Sequence, residues 1–399
     1  MKQPFLKAVP LLEIIEANGF EAYFVGGSVR DYLLDREITD IDIASSATPA
    51  EIKSIFSKTI DVGIEHGTVV VIFEGETYEV TTFRAEEEYM DYRRPKEVVF
   101  IRSLIADLER RDFTMNAMAM DKTGNIIDPF FGRQAIEDKV IKTVGMAEER
   151  FKEDALRMMR ALRFSSQLCF EIDSATFSGL VQYGYLLEKI AVERLLVEFE
   201  KLLSGQNRNG ALKLLLKSGL FQFLPGFHSH QQEIEKLSEM TINELHVDEI
   251  WLLLTHLLGL NGKNVEPFLR KWKFPVKRIH WIQKCLNWLE NRLKKEWTIE
   301  SIYHANEEVF NSVERVFNIV SGNEVNTSIN HLNQVYKSLP IKCHSDLVVS
   351  GRDLMNWYQA DAGPWIKEKL SLIEEAVLHK IIENKKESIR EWLLSCNQS

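Results

Sequence analysis

Cysteine is scarce. The 399 residues contain four, Cys169, Cys285, Cys343 and Cys396, and no two form a Cys-x-x-Cys pair. That excludes a zinc site of the paired-cysteine type, and the wide spacing reads as buried free thiols in a reducing compartment. Long apolar runs are also missing. None approaches the ~18 residues needed to cross a bilayer; the best candidate, residues 250–260, is interrupted by Thr255 and His256. Lys2 and Lys7 flank an apolar stretch that Glu13 and Glu16 break, so no signal peptide is expected there. The His-Asp dipeptide of many metal phosphohydrolases does not occur; His246 and Asp248 are separated by Val247. Internal repeats, low-complexity tracts and long Gly/Ser linkers are absent. Positive charge is in deficit as well: 49 lysines and arginines face 59 acidic residues, a net charge of −10. At face value this argues against a nucleic-acid partner.

What is present divides unevenly. The first ~145 residues mix helical and strand periodicities. A helical pattern over residues 6–18 ends at Gly19. Short strands are expected at 23–25 and 39–44, then a hairpin of 68–73 and 77–83 turning at Gly75. Beyond about residue 150 the strand signals vanish and apolar-periodic helical segments continue to the C-terminus. The expected architecture is a small α+β head followed by a long all-α arm.

The first chemical feature is Asp40-Ile41-Asp42. Side chains of a strand alternate between faces, so Asp40 and Asp42 project together while Ile41 and Ile43 face a core. Two neighbouring carboxylates repel unless a cation offsets them, and oxygen ligands of this kind suit Mg²⁺. A solvated edge strand explains the pair alone equally well. Glu79, on the opposite face of its strand from Tyr78 and Val80, is a candidate third carboxylate. Upstream, Gly26 and Gly27 follow a strand and precede a helical segment, so backbone can approach phosphate oxygens closely. Ser28 adds a hydroxyl and Arg30 a fork of donors.

These residues carry a resemblance. Gly26-Gly27-Ser28-Val29-Arg30-Asp31 followed by Asp40-x-Asp42 resembles the bacterial (class II) tRNA nucleotidyltransferase and poly(A) polymerase family. Three later blocks agree with it. They are Arg-Arg-Asp-Phe-Thr-Met-Asn-Ala at 110–117, Glu-Asp-Ala-Leu-Arg-Met-Met-Arg at 153–160, and Val-Glu-Arg-Leu-Leu-Val-Glu-Phe-Glu at 192–200. Gly351-Arg352-Asp353 and Gly363-Pro364-Trp365 look like its CCA-adding branch.

The resemblance implies a head of DNA polymerase beta-like nucleotidyltransferase fold with a small mixed sheet. It implies an elongated all-α neck, body and tail, here bounded as 1–147, 148–204, 205–299 and 300–399. It implies addition of C, C and A to the tRNA 3′ end from CTP and ATP, with two Mg²⁺ ions, in the cytoplasm, away from any membrane. The tRNA would be held by its 3′ end and acceptor/T arm, and a homodimer is compatible. Asp40, Asp42 and Glu79 become catalytic. Gly26, Gly27, Ser28, Arg30, Arg111, Asp112, Asp154, Arg157, Arg160 and Arg163 become nucleotide-binding, with Asn116 in support and Arg110 equally readable as a structural ion-pair partner. Asp154 and Arg157, three apart, are expected on one helix face, where the resemblance makes them the base-reading pair. The charged segment 84–95 becomes the flexible loop that switches from cytidine to adenosine.

The charge deficit conceals a local surplus. Residues 263–295 contain ten basic residues against Glu266 and Glu290, a net +8. Lys271, Lys273, Lys277 and Arg278 are the expected RNA contacts. Trp272, Trp281 and Trp288 are interleaved; the seven-residue spacing of the last two favours core packing over base stacking.

Overall fold

Phe5, Ala8, Leu11, Leu12 and Ile15 recur at helical spacing and form the buried face of the first helix, α1 (Gln3–Ala17). It closes at Asn18 and Gly19, the latter at φ +86°. The computed structural model describes residues 1–62, 67–86, 89–90, 94–95 and 98–396. Residues 87–88 and 91–93 of the expected switching loop lie outside the described residues.

The strands are β1 (Ala22–Val25), β2 (Asp42–Ser45), β3 (Thr59–Asp61), β4 (Thr68–Phe73), β5 (Glu76–Thr82), β6 (Arg84–Glu86), β7 (Tyr89–Met90), β8 (Arg94–Pro95), β9 (Val98–Phe100), β10 (Ala119–Met120), β11 (Ile126–Ile127), β12 (Val140–Ile141) and β13 (Glu171–Ile172). Seven build one mixed sheet in the order β11-β10-β1-β2-β5-β4-β3. Its only parallel pair, among the described residues, is β2 with β5. The β4–β5 hairpin turns at Glu74 and Gly75, φ +50° and +87°, the two positive values that a tight primed turn requires. Two sequence expectations need correction here. Strand β2 begins at Asp42, not at Thr39, so Asp40 lies on the approach to the ladder. A strand also forms beyond residue 150: β13 pairs in parallel with β12.

The remaining helices are α2 (Gly27–Leu33), α3 (Pro49–Ile55), α4 (Leu104–Glu109), α5 (Gly132–Glu137), α6 (Ala147–Glu153), α7 (Leu156–Leu168), α8 (Ser174–Tyr183), α9 (Val192–Leu203), α10 (Arg208–Lys217), α11 (Gln231–Glu239), α12 (Val247–Leu257), α13 (Val265–Lys271), α14 (Val276–Arg292), α15 (Ile299–Ala305), α16 (Glu307–Val320), α17 (Ile329–Lys337), α18 (Gly351–Tyr358), α19 (Pro364–Leu378) and α20 (Lys386–Cys396). Among the described residues no helix is long and apolar enough to cross a membrane.

The chain forms two compact units, Met1–Ser238 with Lys271–Lys273, and Glu239–Arg270 with Phe274–Ser399. In the first, α7 packs on α9 and α10. Trp272 is fully buried there, stacked on Phe199 at 5.3 Å and tilted against Phe227 at 5.2 Å. In the second, α14 packs on α12 and α16. Trp288 lies against Trp297 at 5.6 Å, so these tryptophans serve packing. The buried carboxylate of Glu314 accepts from Arg292 Nε (2.8 Å), Trp297 Nε1 (2.7 Å) and Ser328. Of the cysteines, Cys285 is buried as expected, but Cys169 and Cys343 are exposed.

Candidate active site

Parallel pairing sets the register Asp42 opposite Glu79. In adjacent strands such residues share a face, and both face away from the core that holds Ile43, Tyr78 and Val80. The sheet thus joins two carboxylates that are 37 positions apart in sequence. Asp40 precedes them at the exposed edge. Asp42 keeps an open face to solvent yet is otherwise ringed by protein. That burial, and then Glu79, raise its carboxyl above the ordinary carboxylate range; Arg111 opposes the rise and Asp40 adds to it. A cavity of about 730 Å³ opens beside Asp40, Asp42 and Glu79, with Lys7 and Tyr78 also in its wall.

Above the carboxylates, β1 turns into α2 through Gly26, at φ +71°. A Cβ there would stand 3.1 Å from Arg111 Nη1 and 3.5 Å from Asp42 Oδ2. Glycine is therefore required twice, by conformation and by space. The Ser28 hydroxyl is not directed outward: it is buried and donates to the Val25 carbonyl at 2.9 Å. Arg30 donates to Asn116 Oδ1 (2.8 Å) and pairs with Asp31 (2.9 Å). Arg111 pairs with buried Asp107 at 3.1 Å, and Arg110 does so at 2.7 Å, the structural role open to it in the sequence. Burial would raise the Asp107 carboxyl, but the two guanidiniums hold it below the usual range. Arg111 Nε is buried with no hydrogen-bond partner among the described residues.

Asp112 is the centre of a second cluster. Its Oδ1 accepts from Phe113 N (2.8 Å) and Asn116 Nδ2 (3.0 Å), and its Oδ2 from Arg160 Nε (2.7 Å). Burial works to raise this carboxyl, yet Arg160 and Asn116 pull it down to about 2. Glu198 on α9 takes Arg163 at 3.1 Å. Burial and then Arg160 bring Arg163 down to about 10 against the pull of Glu198. Three guanidiniums surround the Phe164 ring, at 4.0 Å (Arg163), 5.1 Å (Arg30) and 5.4 Å (Arg160). Arg160 and Arg163 are thus engaged by Asp112 and Glu198 rather than directed freely at a ligand.

The expected face-sharing of Asp154 and Arg157 does not hold. Asp154 adopts an extended conformation (φ −138°, ψ 103°) that separates α6 from α7. Its Oδ1 accepts from Leu156 N at 3.0 Å, competing locally with helix as short acidic side chains do. Its Oδ2 accepts from Arg194 Nη2 at 2.7 Å. Arg157 is buried and donates to Glu153 Oε2 (2.5 Å), the Arg150 carbonyl (3.2 Å) and the Arg110 carbonyl (2.7 Å). Glu153, Arg194 and Glu198 lie in the matching sequence blocks and carry no predicted role, yet they hold Arg157, Asp154 and Arg163. Their charges were the available signal, but their partners lie up to 40 residues away.

Among the described residues, no group of three His, Cys, Asp or Glu converges closely enough to cage a metal. The donor set still fits a divalent ion of the Mg²⁺ kind, which binds one or two carboxylates and completes its shell with water and substrate phosphates. Burial, and then the neighbouring Glu79 charge, raise the Asp42 carboxyl, and a bound cation would oppose both.

Of the expected RNA contacts, Lys271, Lys273 and Lys277 are exposed. Arg278 is committed, pairing with Asp248 at 2.5 Å and lying over Phe274 at 4.3 Å.

Residues 22–142 match the sequence model of the poly(A) polymerase head domain. Residues 169–231 match that of a probable RNA and SrmB-binding site of polymerase A, and residues 245–393 that of tRNA nucleotidyltransferase domain 2. The chain is 46% identical over 399 residues to the CCA-adding enzyme of Geobacillus sp. (strain WCH70), covering 100% of this chain and 98% of that protein. It superposes on the crystal structure of the Bacillus stearothermophilus CCA-adding enzyme in complex with CTP with a TM-score of 0.90. Identity there is 44%, covering 100% of this chain and 98% of that one. A tRNA nucleotidyltransferase complexed with a primer tRNA and an incoming ATP analogue matches at 26% identity and a TM-score of 0.63, covering 82% of this chain and 98% of that one. Family members use divalent metal ions. The full-length identity and the matching fold place this chain in the family of CCA-adding tRNA nucleotidyltransferases.

Proposed function

We propose that this chain adds C, C and A to the 3′ end of tRNA from CTP and ATP, without a nucleic-acid template and with release of pyrophosphate. The observation that carries the reading is a juxtaposition. Asp42 and Glu79 lie side by side in register, next to the Gly26 turn and the unpartnered Arg111 Nε. Carboxylates for metal, backbone room for a triphosphate and a donor for its oxygens occupy one place. The solved relatives holding CTP, or primer tRNA with an ATP analogue, support the same substrates.

In the proposed step the tRNA 3′-hydroxyl oxygen bonds to the α-phosphorus, the bond to the bridging oxygen breaks, and pyrophosphate leaves. Asp40 and Asp42 would hold two Mg²⁺ ions, which lower the hydroxyl pKa and neutralise the triphosphate when bound. Glu79 orients the hydroxyl or takes its proton. Gly26, Gly27, Arg30 and Arg111 receive the triphosphate, and Asp112 with Asn116 shapes the sugar side. Arg160 and Arg163 act by fixing Asp112 and Glu198 around it.

Base choice falls to Asp154 and Arg157. Tied to Arg194, the Asp154 carboxylate is an acceptor that matches the exocyclic amino groups of cytosine and adenine. Uracil and guanine present a carbonyl oxygen at the same place, and leaving buried polar groups unpaired is costly. We assign residues 1–147 to catalysis, 148–204 to nucleotide selection, and 205–299 and 300–399 to the RNA. Lys271, Lys273 and Lys277 serve phosphate contact. The cytoplasm, where tRNA and nucleotides are, is the proposed location.

The test is direct. Incubate the protein with tRNA ending before CCA, Mg²⁺, and CTP and ATP singly or together, then sequence the 3′ end. Extension stopping at CCA is expected. A long A tail would assign poly(A) polymerase activity instead, and no extension would remove the reading. Asp40→Ala and Asp42→Ala should each lower the rate by at least about 10³-fold with tRNA binding kept; near-normal turnover in either would refute their role.

A further inference from the structure

Phe131 is out of place for a residue that serves only the fold. It is 77% exposed, the most exposed large apolar side chain among the described residues. Its backbone sits in the left-handed region (φ +61°, ψ +37°), which a bulky aromatic rarely adopts and glycine adopts freely. Its surroundings impose that conformation. Asp128 accepts from the Gly132 and Arg133 amides at 2.7 and 2.9 Å, so the start of α5 is already capped. Phe130 packs on the cluster that holds Val25, Ala44 and Leu108. Gly132 is seated so tightly that a Cβ would stand 2.3 Å from the Thr114 carbonyl oxygen. The backbone that carries Phe131 is thus fixed, and its ring projects into solvent. Two residues on, Arg133 is exposed, and its guanidinium makes no hydrogen bond or ion pair with a described residue. The turn that Gly132 touches carries Asn116, which binds both Arg30 and Asp112. The exposed pair is therefore fixed to the framework of the nucleotide site.

We propose that Phe131 and Arg133 form an RNA contact, resting on the functional reading above: an unpaired base of the RNA substrate stacks on Phe131 and a neighbouring phosphate pairs with Arg133. An exposed aromatic face with a nearby cation is the combination that single-stranded RNA recognition uses. Backbone strain that the surroundings impose clusters at functional sites. One ring beside a free charge is too small and too polar to hold a second copy of the chain, whose interface would need about 800 Å² per partner.

The experiment compares Phe131→Gly, Phe131→Trp and Arg133→Gln in the full-length protein by CTP addition to tRNA lacking CCA. Glycine suits the φ, so Phe131→Gly should fold, with a Tm at or above that of the parent. It is expected to raise the KM for tRNA about tenfold, with kcat and the KM for CTP within twofold. Phe131→Trp should keep the parental value. Arg133→Gln should reduce the slope of log KM against log salt by about 0.7, one single-strand phosphate contact. A tRNA KM within twofold of the parent in Phe131→Gly overturns the proposal. A changed oligomeric state by light scattering with an unchanged tRNA KM overturns it in favour of a contact between copies. Failure of the parent itself to extend tRNA would bring down the functional reading, and is distinct from a loss confined to these variants.

Discussion

Asp112 is where single side chains have most leverage. One carboxylate holds Arg160, Asn116 and the Phe113 amide. Asp112→Ala would leave Arg160 with only its long contact to Glu198 (3.9 Å) and strip the Phe113 amide and Asn116 of their acceptor in a buried cluster, and losses of this kind run to about 3–5 kcal/mol. Urea unfolding should read a loss of that size in the unfolding free energy; a change under about 1 kcal/mol would contradict the cluster. The pH dependence has a definite sign. The folded carboxyl is held near 2, below its ordinary 3.8. Its contribution is therefore complete above about pH 4–5 and is lost as pH falls toward 2, roughly 2 kcal/mol in all. Asp112→Asn should flatten that acid limb. Asp154 has a different kind of leverage, over selectivity. Asp154→Asn replaces an acceptor-only group by an amide that can donate to the carbonyl of uracil. The ratio of C to U incorporation should fall about 10²-fold when CTP and UTP compete; an unchanged ratio would place base reading elsewhere.

Elements set these side chains in place through contacts that tolerate little change. Helix α5 approaches the Thr114–Asn116 turn so closely that Gly132→Ala must push one of them aside. The expected cost is about 1–3 kcal/mol, as for other overpacked cores. Because Asn116 bonds both Arg30 and Asp112, the KM for CTP should rise in the same variant; a stability loss without any kinetic change would show the turn moves independently of the site. Elements also mark what a sequence can reveal. Helix α1, the Glu74–Gly75 hairpin and the Gly26 turn were legible because their signals are local: periodicity, a turn pair, glycines between strand and helix. Glu79 was legible as a candidate third carboxylate, but its place opposite Asp42 was not, since it follows from a parallel register between strands separated by a hairpin partner. Asp154 misled for a physical reason. The run Glu153-Asp154-Ala155-Leu156 has helical composition, but the Asp154 side chain takes the Leu156 amide and breaks the helix there. The Arg194 and Glu198 pairings depend on how α9 lies on α7, which no local pattern encodes.

For the whole molecule, the charge distribution separates usable from committed cations. Residues 263–295 carry +8 by count, but Arg270, Arg278 and Arg292 are paired with Glu266, Asp248 and Glu314. Lys271, Lys273 and Lys277 are exposed and outside these pairs. Counterion release depends on the cations that actually meet phosphates, so the lysines and not the paired arginines should govern the salt dependence. Replacing the three lysines with glutamine should lower the slope of log Kd for tRNA against log salt by about 2, at 0.7 per contact, with affinity falling most at low salt. Arg278→Gln is the informative contrast. It removes one charge, as each lysine replacement does, but breaks the Asp248 pair and the Phe274 contact. Its effect should therefore appear as a lower Tm with a nearly unchanged salt slope. If the triple lysine variant keeps the parental slope, the RNA follows a different surface, and the net −10 of the chain must be offset by cations elsewhere.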